Sequence, residues 1–119
     1  MKTFEDLNIW KESKKLSLKI YSIKNTLYRK DFGYRDQLQR ASVSVMSNIA
    51  EGFERDGNKE FIKFLYYSKG SAGEVRSLIS LGIDLGYVNE NDYKEFISIC
   101  TSLSQQISNF IKYLNKTKR

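Results

Sequence analysis

A chain of 119 residues with 40% hydrophobic and 29% charged side chains has the size of about one domain and an ordinary globular composition. Its formal net charge is +6 and histidine is absent, which excludes imidazole acid–base work, Ser–His or Cys–His dyads and His-ligated metals. The single cysteine, Cys100, leaves no pair for an intramolecular disulfide, a zinc site or an iron–sulfur cluster.

Proline is absent and glycine sparse, so little interrupts a helix. Apolar residues at helical spacing predict four helices, at about 4–27, 34–53, 59–85 and 90–114, within one domain spanning 1–119. The first begins near Phe4, after Thr3 and Asp6 in capping-box spacing, and lines up Ile9, Leu16, Ile20, Ile23 and Leu27. The second carries Leu38, Ala41, Val45 and Ile49, and the glycine-containing stretch 51–58 stops it.

The third helix aligns Phe61, Leu65, Ser68, Ala72, Val75, Ile79 and Gly82, with Gly86 as the residue just past its end. Asn89 and Asp92 cap the fourth, whose stripe is Phe96, Ile99, Leu103, Ile107, Phe110 and Leu114. Asn115–Arg119 is a polar tail expected to fray. Helices of this length are roughly 30–40 Å long, and short connections favour an all-α, antiparallel up-down-up-down four-helix bundle.

Cys100 falls on an apolar stripe and reads as a small buried hydrophobe. No run approaches the roughly 18 apolar residues of a membrane span, and the N-terminus lacks the basic-then-apolar pattern of a signal peptide. A cytoplasmic chain without a membrane partner is therefore expected. Neither a Walker A nor a dinucleotide-binding glycine string is present, so no cofactor, metal or catalytic residue is expected and the chain reads as a non-enzyme.

Three constellations stand out. Residues 1–30 hold eight Lys/Arg against three Asp/Glu. Within them Lys11, Lys14, Lys15 and Lys19 form a row suited to neutralising phosphates, with Lys2, Lys24, Arg29 and Lys30 beside it; the alternative is an ordinary solvated face. Arg40, Ser44, Ser47, Asn48, Glu51 and Arg55 form a polar stripe on the second helix. It matches Lys69-Gly70-Ser71-Ala72-Gly73-Glu74 on the third, where in-helix glycines predict close approach of another backbone. Ser44, Asn48, Glu51, Ser71 and Glu74 are thus expected in a hydrogen-bonded network with the arginines, which either fixes register or lines a ligand groove. A surplus of aromatics (Trp10, Tyr21, Phe64, Tyr66, Tyr67 and Tyr113) predicts a subunit interface.

Specific strings sharpen this picture. Phe4–Trp10 resembles F-x-D-L-x-V-W, and Gln37–Gly52 resembles Q-L-R-R-A-A-V-S-I-P-S-N-I-A-E-G. Glu60-Phe61, Phe64-Leu65 and Gly70–Glu74 resemble E-F-x-x-F-L followed by G-S-A-x-E. On these strings the chain resembles the bacterial four-helix bundle family of proteins encoded within intervening sequences of 23S rRNA genes. Met46 departs from the family's usual proline, implying a straighter second helix, and Gln39 replaces the first arginine of a usual pair.

The resemblance implies a ring, typically a homopentamer, and marks Arg40, Asn48, Glu51, Arg55 and Glu74 as motif residues. It also implies kinship with the accessory protein of diversity-generating retroelements, which binds nucleic acid and a reverse transcriptase. The expected function is an oligomeric, non-enzymatic accessory protein binding RNA or DNA non-specifically, with Arg40 and Arg55 joining the lysine row. The alternative is an interaction module docking a protein such as a reverse transcriptase.

Overall fold

The computed structural model describes residues 2–117. Among them there is no strand; a 3-10 turn, Phe4–Asp6, precedes α1 (Asn8–Tyr21), α2 (Thr26–Lys30), α3 (Phe32–Glu54), α4 (Asn58–Asp84) and α5 (Glu90–Lys116). Met1, Lys118 and Arg119, with the end of the tail expected to fray, lie outside the described residues.

The first predicted helix is three pieces. Asp6 Oδ2 accepts from the Lys2 and Thr3 backbone N–H groups at 2.9 and 3.2 Å, closing only the 3-10 turn. Leu7 is extended, and α1 starts after it. At the other end, Ser22 Oγ donates to Leu18 O (2.7 Å) and Asn25 Oδ1 accepts from Tyr28 N (3.0 Å). Short polar side chains that satisfy the backbone locally compete with helix continuation, and here they break it. The break rotates the following turn: Leu27, expected in the core, is 58% exposed, while Tyr28 is buried at 2%. Asp31 then caps α3 through Tyr34 N (3.2 Å), starting that helix at Phe32 rather than Tyr34.

The four long helices pair antiparallel. Along α3 and α4, Tyr34 meets Leu78, Gln37 meets Glu74, Ser44 meets Ser71 and Val45 meets Ser68, so positions descend on one as they rise on the other. On α1 and α5, Asn8 bonds Gln106 and Lys19 pairs with Asp92 and Glu95. Asn58, at the start of α4, donates to Leu114 O near the end of α5. The result is an elongated body of 48 × 21 × 19 Å.

Its interior divides lengthwise. One cluster joins Leu16, Ile20, Tyr28, Leu38, Val75, Phe96 and Cys100, and the other joins Ile9, Ile49, Phe61, Leu65, Ile107 and Ile111. Cys100 is buried as expected; Ile111 is buried where Phe110 was expected, and Ile99 and Phe110 are only partly buried. Burying the Cys100 thiol pushes its pKa up to about 12. The turn after α4 closes with Gly86 N bonding Ile83 O (3.1 Å) and Tyr87 N bonding Gly82 O (2.8 Å). This Schellman arrangement needs the positive φ of Gly86.

Candidate functional site

The polar stripe of α3 does not close into one network. At its centre Ser44 and Ser71 share a hydrogen bond (2.8 Å), and Asn48 Nδ2 donates back to Ser44 O and Oγ at 2.9 and 3.0 Å. All three groups are half-buried; the Ser44–Ser71 bond bridges α3 and α4, and Asn48 braces it from within α3. Glu51 instead pairs with Arg55 (2.8 Å) on the same exposed helix face, and Glu74 accepts from Gln37 (3.3 Å). Arg40 is exposed and makes no hydrogen bond or ion pair among the described residues. The split has a local reason: an i, i+4 acid–base pair finds its partner within its own helix at little entropic cost.

The expected close approach at Gly70 and Gly73 is absent among the described residues. Both are exposed, and a Cβ at either would meet nothing within 4 Å. Close approach occurs at Gly52, where a Cβ would stand 2.7 Å from Phe64 Cβ, and at Gly82, which leaves room for the Tyr34 hydroxyl. Gly70 and Gly73 lie instead on the outer face of α4 with Tyr66 (57% exposed), Tyr67 (51%) and Leu81 (49%).

The lysine row divides as well. Lys19 is half-buried, tied to Glu95 (3.3 Å) and Asp92 (3.8 Å) and seated over the Phe96 ring. Lys15 makes a longer exposed pair with Glu12 (3.6 Å), and Lys14 lies over Trp10. Lys11 is exposed without an ion pair among the described residues. Three of the four ammonium groups therefore face solvent, and the fourth is committed to α5.

An aromatic cluster closes the end of the bundle where α2 meets the α4–α5 turn. Tyr34 packs edge-on against Tyr28 and Tyr87, with ring centroids 6.0 and 5.0 Å apart. Its hydroxyl donates to Leu78 O, and burial raises its pKa. Tyr87 Oη donates to Asp31 Oδ2. That bond, with Tyr34 N second, holds the Asp31 carboxyl below its ordinary value and raises the Tyr87 phenol. Sequence periodicity missed this cluster because it carried the first helix straight through to Leu27; Ser22 and Asn25 were the signal for the break. Among the described residues no three His, Cys, Asp or Glu side chains gather to hold a metal ion.

The model of the 23S rRNA-intervening sequence protein family matches residues 5–109. The chain belongs to that family. A solved structure from the S23 ribosomal protein family of Bacteroides thetaiotaomicron, a protein with unknown function, is similar in fold. Its TM-score is 0.78, covering 87% of this chain and 98% of its own at 22% identity. No curated protein matches the chain. Within the family string Ser47–Gly52, Ile49 and Gly52 are buried in packing and Asn48 bridges to Ser44, while Ser47 and Glu51 face outward. The α3 helix runs unbroken through Met46. No described helix is long and apolar enough to cross a membrane.

Proposed function

We propose that this member of the family is a non-enzymatic accessory protein that self-associates and binds RNA or DNA through phosphate contacts. The observation that carries the reading is the surplus of cations in the first 30 residues, eight Lys/Arg against three Asp/Glu, most of them solvent-facing on α1 and α2. Exposed cations on a rigid frame neutralise phosphates and release counterions, which needs no base-specific contact. Lys11 and Lys14 are the members of the row with no acid partner among the described residues, Lys15 holds Glu12 only loosely at 3.6 Å, and Arg40 joins them from the neighbouring helix. Lys19 and Arg55 are held by acids and contribute less.

Self-association multiplies a modest monomer field, since a ring presents the same weak site several times to one polymer. The outer face of α4 supports it: Tyr66, Tyr67 and Leu81 are exposed there beside Gly70 and Gly73, which no other described residue approaches within 4 Å of a Cβ. A homopentamer is the stoichiometry the family resemblance suggests. The same face favours a second reading, in which it docks a protein such as a reverse transcriptase. Ionic strength separates the two, because phosphate binding weakens steeply with salt and apolar docking does not. The test is binding of labelled RNA and DNA across a salt series; salt-insensitive or absent binding rejects the nucleic-acid reading.

A further inference from the structure

We propose that the cleft between the end of α1, α2 and the start of α3 is a phosphate-binding site, with Lys24, Arg29 and Arg35 as its cationic ligands. The cleft has a volume of about 390 Å³, and its wall carries these three cations, Tyr21, Tyr28 and Gln39 but no acidic side chain. It is within the size range of small-molecule sites and large enough for a phosphate group with its attached sugar.

The three cations differ from the α1 row in how they are held. Lys24 and Arg29 make no ion pair among the described residues, so nothing there competes with a ligand. Arg35 is anchored: Nη1 donates to Arg29 O (3.2 Å), its guanidinium lies over the Phe32 ring, and Nε and Nη2 both donate to Asp36 Oδ1 at a long 3.4 Å. The loop carrying Lys24 is pinned by Asn25, whose Nδ2 donates to Gly86 O (3.0 Å) across the end of the bundle. A guanidinium fixed in this way loses less entropy on meeting a phosphate than one on a free side chain.

A second observation lies in the wall itself. The Tyr28 hydroxyl is enclosed and has no hydrogen-bond partner among the described residues. Gln39 stands close enough to lower the phenol's pKa, but no hydrogen bond closes between them, and burial prevails in raising it. A buried hydroxyl without a partner is costly. A ligand oxygen that reaches the hydroxyl through a small shift of this wall removes that cost. Tyr21, exposed at the rim, offers an aromatic face on which a base can stack.

The larger cleft on the other side of the same loop, about 520 Å³, suits an anion less well. It includes Asp92, and its Lys19 is already paired with Asp92 and Glu95.

The site stands on its own geometry; only the source of the phosphate, a nucleic-acid backbone, rests on the function proposed above. Two measurements keep them apart. Amide chemical shifts of the ¹⁵N-labelled protein are followed on addition of inorganic pyrophosphate, and binding of a labelled RNA is measured in parallel. Both are repeated with the Lys24→Gln/Arg29→Gln variant, whose lost side chains make no hydrogen bond or ion pair within the described residues.

The site predicts shifts confined to residues 21–39 that vanish in the variant. It also predicts RNA affinity lower by about fivefold per cation at 0.1 M salt, about 25-fold in all, with a salt slope shallower by about 1.5. Localised pyrophosphate shifts without RNA binding keep the site and reject the nucleic-acid source. The absence of localised pyrophosphate shifts overturns the site, whether or not RNA binds to the protein.

Discussion

Tyr87 Oη donates to Asp31 Oδ2 at 2.6 Å, joining the α4–α5 turn to the residue that ends α2 and caps α3. This bond, formed 56 residues apart in sequence, locks the end of the bundle at which the first predicted helix breaks. Its electrostatic signature is paired: the carboxyl is held low and the phenol is raised, in each case chiefly by the other partner.

The pH dependence follows in sign from those shifts. A carboxyl whose folded pKa lies below its unfolded value contributes stability that is complete above the unfolded value, about 3.9, and lost as pH falls through the folded one. Asp31→Asn therefore lowers Tm at pH 7, and the gap to the unmodified protein narrows below about pH 4. Tyr87→Phe lowers Tm in neutral solution as well. In alkali the Tyr34 and Tyr87 phenols add a loss of stability from about pH 10 upward, because both are raised in the fold. A gap between Asp31→Asn and the parent protein that widens on acidification contradicts this assignment.

The glycines give predictions of opposite sign. At Gly52 a Cβ would stand 2.7 Å from Phe64 Cβ and 3.2 Å from Phe61 O, so Gly52→Ala costs about 1–3 kcal/mol through overpacking. At Gly70 and Gly73 a Cβ meets nothing, and each alanine gains about 1 kcal/mol of helix propensity. If the outer face of α4 is the subunit interface, those alanines also lower the mass seen by light scattering while raising the melting temperature of the dissociated chain. Chemical denaturation and scattering of Gly70→Ala and Gly73→Ala, side by side, check both halves. An unchanged oligomer mass places the interface elsewhere.

The central polar bridge and the outer ion pair separate in the same way. Asn48→Ala removes two hydrogen bonds from a half-buried cluster between α3 and α4 and costs about 1 kcal/mol. Glu51→Ala breaks only an exposed i, i+4 pair with Arg55, worth about 0.3–0.5 kcal/mol. Ser44 Oγ keeps its bond to Ser71 when Asn48 is removed, so neither variant strands a buried partner; the difference is a half-buried cluster at Asn48 against exposed surface at Glu51. Urea denaturation of the two variants decides, and equal losses contradict the division.

Cys100 supplies a probe of global opening. Its thiol is 2% exposed, with a pKa pushed up to about 12, so at pH 8 the native protein reacts with a thiol reagent only through unfolding. Modification is expected to be orders of magnitude slower than in denaturant and to accelerate in Gly52→Ala. Fast labelling of the folded protein places the thiol at the surface and contradicts the packing of α5.

Much of this architecture was legible where the chain punctuates itself. Gly57 and Gly86 mark ends where the backbone takes a positive φ, Asn89 marks a start that its side chain caps, and α3, α4 and α5 begin and end within two residues of the expected positions. The first helix misled because Ile23 and Leu27 continue the apolar period past Ser22 and Asn25, whose side chains stop it. In α5, Ile111 and Phe110 are neighbouring apolar residues, and periodicity alone does not tell which of the two is buried. The candidate site was less legible. Periodicity places Lys19 in line with Lys11 and Lys15 but cannot see Asp92 and Glu95 arriving from 73 and 76 residues away. Nor can it bring Arg35 back over the α2 end beside Lys24 and Arg29.

The measurement that bears most directly on the central claim is the anisotropy of labelled single- and double-stranded RNA and DNA titrated with the protein at several salt concentrations, with its mass determined by light scattering in the same buffers. An oligomer that binds with little base preference is expected, with a logarithmic affinity that falls linearly with the logarithm of salt at a slope of several units. A well-formed oligomer that leaves every probe unbound at low salt, or binds with a slope near zero, contradicts that claim.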